Sequence, residues 1–77
     1  MSAVESAVLA LLLHHHPAQL ATDEVVRAAT EDPLDRAARD EVLVALRALT
    51  AAGLAHRHGD FWFVTVAAAR FDALDPT

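Results

Sequence analysis

Three consecutive histidines, His14 to His16, and an alternating pair, His56 and His58, are the side chains best suited to hold a metal. Imidazole suits zinc, nickel or copper, but such sites need three or four ligands at short range. His14, His15 and His16 close an apolar helical stretch, where they complement the negative end of its dipole. His56 and His58 sit two apart on a strand pattern and share one half-exposed face. No metal and no other cofactor is expected. Catalytic groupings are absent as well. Ser2 and Ser6 are the only serines, both in one helical turn with no histidine base at helical spacing. Glycine occurs twice, which leaves no phosphate-cradling loop. The carboxylates are scattered over polar faces, so enzyme activity is not expected.

The arginines carry the binding chemistry. Arg36, Arg39 and Arg47 fall on the outward side of one long helical pattern, together with Asp40, Leu43 and Val44. A guanidinium fork matches both guanine edges and phosphate oxygens. Arg57 and His58 lie near the tip of a hairpin pattern. A second reading gives the same helix a solvated surface, with ion pairs Arg36–Asp40 and Asp35–Arg39 at i, i+4. Eleven acids against six basic residues leave a net charge of −5, which repels nucleic acid overall. Leu43 and Val44, two outward aliphatics beside mixed charges, suit a protein partner.

The elements that position these residues follow from caps and spacing. Ser2 and Glu5 form the S-x-x-E pattern that opens a first helix. Val4, Val8, Leu11 and Leu12 share a stripe, while Leu9 and Leu13 face elsewhere, so this helix is apolar on more than one side. Pro17 ends it. An extended piece, Ala18 to Ala21, leads to Thr22, which caps a second helix carrying Val25, Val26 and Ala29. Asp23 and Glu24 occupy its first turn, where the dipole favours anions, and a polar turn at Thr30 to Asp32 closes it. Asp32 as N-cap and Pro33 as first residue predict the start of a third helix. Its buried face is Leu34, Ala38, Val42, Ala45, Leu46, Leu49 and Ala52, and Gly53 closes it. Leu54–His58 and Phe61–Thr65 read as strands joined by Gly59-Asp60, a two-residue turn of type II′. This register pairs Arg57 with Trp62 on one face and His56 with Phe63 on the other. Phe61, Trp62 and Phe63 alternate faces, which fits packing on the third helix better than base stacking. Thr65 caps a last helix with Val66, Phe71 and Leu74, which Asp75-Pro76 terminates.

The run Leu46-Arg47-Ala48-Leu49-Thr50-Ala51-Ala52-Gly53-Leu54 resembles the L-x-x-L-x-x-x-G-L ending of the recognition helix in winged helix-turn-helix regulators. Phe61-Trp62-Phe63-Val64-Thr65, with Ala67, Ala68 and Arg70 after it, is similar to the close of their second wing strand. The resemblance spans roughly Val4 to Leu74 and points to small bacterial transcription regulators of the multiple-antibiotic-resistance type. It implies a mostly helical α+β fold with a three-helix core, a two-stranded wing and a short C-terminal helix. It also implies duplex DNA bound by a homodimer, with Arg36, Arg39, Arg47, Arg57 and His58 on the DNA; a cytoplasmic location is expected separately, from the lack of a basic region ahead of the apolar stretch and of a membrane-length apolar run. A dimer seam would use the apolar back of helix one, Leu9 and Leu13, and the last helix, Phe71 and Leu74. The same fold also serves as a protein-interaction module, and that alternative runs through Leu43 and Val44.

Length and composition fit one domain over residues 1–77. With 55% hydrophobic residues the chain can build a core, although one this short buries only about 60% of its unfolded surface, so dimerisation would help. The absence of cysteine excludes disulfides and suits a reducing compartment. The longest apolar run, Ala7 to Leu13, is too short to span a bilayer, so no membrane partner is expected.

Overall fold

The computed structural model describes residues 1–74. It is a small, mostly helical α+β structure. In chain order the elements are α1 (Ala3–His15), β1 (Leu20–Ala21), α2 (Thr22–Ala29), α3 (Arg36–Ala51), β2 (Ala55–His58), β3 (Phe61–Val64) and α4 (Val66–Leu74). The three strands form one antiparallel sheet in the order β1-β3-β2.

Local chemistry sets most boundaries. The Ser2 hydroxyl accepts the Glu5 amide at 3.1 Å and starts α1. Only this half of the S-x-x-E box forms, which leaves the Glu5 carboxylate free of the cap. At the start of α2 the roles shift by one residue. Ala21, not Thr22, is the N-cap, and the Glu24 carboxylate accepts the Ala21 amide at 3.0 Å. Thr22 is instead buried and turned toward the hairpin. At the end of α3, Gly53 adopts φ 78°. There the Leu54 amide donates to Leu49 O at 2.9 Å and the Gly53 amide to Thr50 O at 3.1 Å. This paired ending satisfies two carbonyls that the last turn would otherwise orphan. Thr65 caps α4 by accepting the Ala68 amide at 3.0 Å. The Asp75-Pro76 terminator lies outside the described residues.

The third helix begins later than the Asp32-Pro33 pattern predicts. Asp35 is its N-cap, one carboxylate oxygen accepting the amides of Ala37 at 3.0 Å and Ala38 at 3.4 Å. Asp32 holds a separate turn by accepting only the Leu34 amide at 2.9 Å. Two caps three residues apart compete, and the one that satisfies two amides opens the helix. Leu34 consequently leaves the core and is 91% exposed.

The hairpin has the expected register, Arg57 opposite Trp62 and His56 opposite Phe63, across a turn in which Gly59 has φ 62°. The two-stranded ribbon expected from the sequence is instead three-stranded. Leu20 and Ala21 pair with Trp62 and Phe61, so the extended piece before α2 covers the outer edge of β3. Covering that edge satisfies backbone groups that a lone ribbon would leave to solvent.

The core gathers Val8 and Leu12 from α1, Val25 and Val26 from α2, Val42, Leu46 and Leu49 from α3, and Trp62 and Val64 from β3. The α3 contribution follows an i, i+4, i+7 spacing, so one stripe of the helix is buried and the rest faces out. Among the described residues no helix is long and apolar enough to cross a membrane.

Candidate functional site

Successive helical residues point about 100° apart, so the buried stripe of α3 leaves two outward edges with different chemistry. Arg36, Leu43, Arg47 and Thr50 lie along the edge toward the hairpin. Ala37, Glu41, Val44 and Ala48 lie along the edge toward α1, and Asp40 stands between the two.

The hairpin edge is the basic one. Arg36 and Arg47 are eleven residues apart, almost a whole number of turns, so both point the same way about 16 Å apart along the axis. Both are exposed. At the C-terminal end of this edge, Arg47, Thr50, Ala51, Arg57 and Trp62 line a shallow groove of about 300 Å³. Arg57 lies over the Trp62 ring with its guanidinium carbon 5.5 Å from the centroid, and its Nε donates to the Gly59 carbonyl at 2.7 Å. Those contacts hold the side chain against the strand and leave its two terminal nitrogens for a ligand. The tryptophan beneath is fixed in turn. Its indole N–H donates to the Thr22 hydroxyl at 2.8 Å, which donates to an Asp60 carboxylate oxygen at 2.7 Å. The Thr22 amide adds a bond to the Asp60 carbonyl at 2.9 Å. The hairpin tip is therefore clamped to the start of α2. Thr22, an ordinary N-cap residue type at the start of a helical pattern, carries no local signal of this clamp, because its partners are about forty residues away.

Arg39 is placed apart from the other arginines. Its guanidinium meets Asp23 of α2 at 3.0 Å, both side chains partly open to solvent. The intrahelical pairs Arg36–Asp40 and Asp35–Arg39 are not formed; for the second, the Asp35 carboxylate caps α3 and Arg39 reaches across to α2. His58 is exposed beside the turn and pairs with Phe61, while His56 stacks tilted against Phe63 at 5.5 Å. His14 and His15 meet edge to face at 5.2 Å. No three histidines or carboxylates among the described residues come together as metal ligands.

The four candidate seam residues are brought partly together. Leu9, Leu13 and Phe71 line one groove of about 410 Å³, with Leu54, Ala67 and Ala68. Leu74 is one turn beyond Phe71 and outside this lining. Helix α4 is oriented unusually: Ala68 faces the core, while Phe71 and Leu74 are 75% and 82% exposed. Of the two α3 aliphatics proposed to meet a protein partner, Leu43 is half-buried on the hairpin edge, and Val44 is 63% exposed on the α1 edge.

No family model, curated protein or solved structure matches this chain.

Proposed function

We propose that the chain is a winged helix-turn-helix domain that binds duplex DNA through the hairpin edge of α3 and the β2–β3 wing, as a cytoplasmic transcription regulator. The observation that carries this reading is the row Arg36, Arg47 and Arg57, none of which has a carboxylate partner among the described residues. Guanidinium groups spaced along a helix and onto an adjoining ribbon can follow a phosphate backbone. His58 extends the row at the wing tip. Arg39 joins it only by releasing Asp23.

The DNA-bound form in this proposal is a homodimer. Leu9, Leu13 and Phe71 give each copy a groove, and Phe71 and Leu74 give it an apolar ridge to offer a second copy. Two α3 helices would then address successive turns of the duplex, roughly 34 Å apart.

The test is fluorescence anisotropy with a pool of labelled duplex fragments at about 50 mM and about 200 mM salt. Binding should weaken by at least tenfold over that range, because each phosphate contact releases counterions. Arg47→Glu with Arg57→Glu should abolish it, and absence of wild-type binding at the lower salt sinks the reading.

One observation favours a second reading. Val44, in the middle of the helix that would lie on DNA, is exposed beside Asp40 and Glu41. An aliphatic flanked by carboxylates suits a protein partner and repels phosphate. Under this reading the domain is a protein-interaction module.

A further inference from the structure

The edge of α3 that faces away from the β2–β3 hairpin forms one wall of a groove. Its other wall is the first turn of α1. The groove measures about 620 Å³ and is lined by Ser2, Val4, Glu5, Ala37, Asp40, Glu41, Val44 and Ala45. Two features coincide there. Val4, Ala37, Val44 and Ala45 make an apolar floor, with Val44 the most prominent aliphatic of α3. Glu5, Asp40 and Glu41 stand around it, and none of the three makes an ion pair or a side-chain hydrogen bond among the described residues. The cap geometry explains one of these, since Ser2 takes the Glu5 amide while the Glu5 carboxylate returns no bond.

We infer that this α1–α3 groove docks a basic amphipathic segment of a partner protein, its apolar residues on Val4 and Val44 and its lysines or arginines on Glu5, Asp40 and Glu41. Charge complementarity selects this occupant. Three unpaired carboxylates repel DNA and an anionic lipid surface alike. A second copy of this chain is a poor match, because the outward apolar residues of its α4, Phe71 and Leu74, stand beside Arg70 and Asp72 together and bring no net positive charge. An apolar floor ringed by fixed charge of one sign is how a groove takes up an amphipathic helix of the opposite sign. This inference rests on the interaction reading of Val44 and is independent of the DNA reading, since the two edges of α3 are different surfaces.

The experiment uses two labelled amphipathic peptides, one of Leu and Lys at helical spacing and one of Leu and Glu, titrated by anisotropy at low and moderate salt. The Leu/Lys peptide should bind wild type, and the Leu/Glu peptide should not. Val44→Asp is the decisive variant because it adds an acid. Nonspecific attraction to an acidic protein would strengthen, whereas docking on this floor should weaken about tenfold. Glu5→Lys with Glu41→Lys should weaken it at least as much, and Asp72→Lys, on α4 and outside the lining of this groove, should leave it unchanged. Circular dichroism checks that each variant keeps its helix content. Binding by Val44→Asp equal to wild type, or an equal loss in Asp72→Lys, overturns the proposal. Val44-dependent binding of the Leu/Glu peptide alone overturns the basic class and keeps the interaction reading. Failure of both peptides to bind overturns the two together. Self-association of the wild type that Val44→Asp abolishes gives the groove to a second copy and also overturns the inference.

Discussion

The indole N–H of Trp62 donates to the hydroxyl of Thr22 at 2.8 Å, across forty residues of chain, and that hydroxyl passes its own hydrogen to Asp60 at 2.7 Å. Three groups that do not pack by hydrophobicity alone are thereby satisfied at one point. They join β3, the β2–β3 turn and the start of α2, and Arg57 rests on the outer side of the same tryptophan.

Thr22→Val should therefore cost more than the loss of one exposed hydrogen bond. The substitution keeps the shape but leaves the buried indole N–H unpaired, a penalty of about 1–3 kcal/mol. Urea denaturation should show that loss. Trp62→Phe in the same background should add less than it does alone, because the two residues share one network. Additive effects would contradict the clamp.

The start of α3 at Asp35 separates two leucines that periodicity places on the same face. Leu46→Ala should destabilise by about 2–5 kcal/mol, since it empties a fully buried position. Leu34→Ala should change stability by less than about 0.5 kcal/mol. Comparable losses would mean that the helix begins at Asp32 after all.

Gly53 holds φ 78°, and a Cβ there would meet nothing within 4 Å. The cost of Gly53→Ala is then backbone strain alone, about 1–2 kcal/mol. Gly53→Asn should lose less, because asparagine tolerates this conformation. Thermal melts of the two variants order them directly. An alanine variant as stable as wild type would exclude the left-handed ending.

Asp23→Asn tests the role of the Arg39 pair. Both partners are partly solvated, so stability should fall by less than about 1 kcal/mol. Under the DNA reading, the freed guanidinium and the lost negative charge should tighten duplex binding, roughly threefold at low salt. Weaker binding would show that Arg39 is needed where it stands.

Phe71→Glu tests the proposed homodimer. Phe71 is largely exposed and borders the groove with Leu9 and Leu13. A charge there should halve the mass seen by light scattering without lowering the helix content. A wild type that scatters as a monomer at high micromolar concentration removes the seam.

Much of the fold was legible along the chain, because the deciding interactions are local. Ser2, Gly53, Gly59 and Thr65 act on backbone groups within a few residues of themselves, so residue type and spacing located α1, the end of α3, the β2–β3 turn and α4. The two-residue turn in turn dictated the Arg57–Trp62 and His56–Phe63 pairing. The reading failed where two local solutions competed or where a partner was distant. Asp32 and Asp35 are both good caps, and only the second satisfies two amides. Leu20 and Ala21 read as merely extended, because strand pairing with β3 depends on a residue some forty positions away. The three outcomes that decide the candidate site are also tertiary: Arg39 drawn to Asp23, Glu5 and Glu41 brought to one groove, and Trp62 turned inward beneath Arg57. Side-chain charge and shape were written in order along the chain, but which of them face one another depends on how the helices cross. That is set by packing the whole core at once.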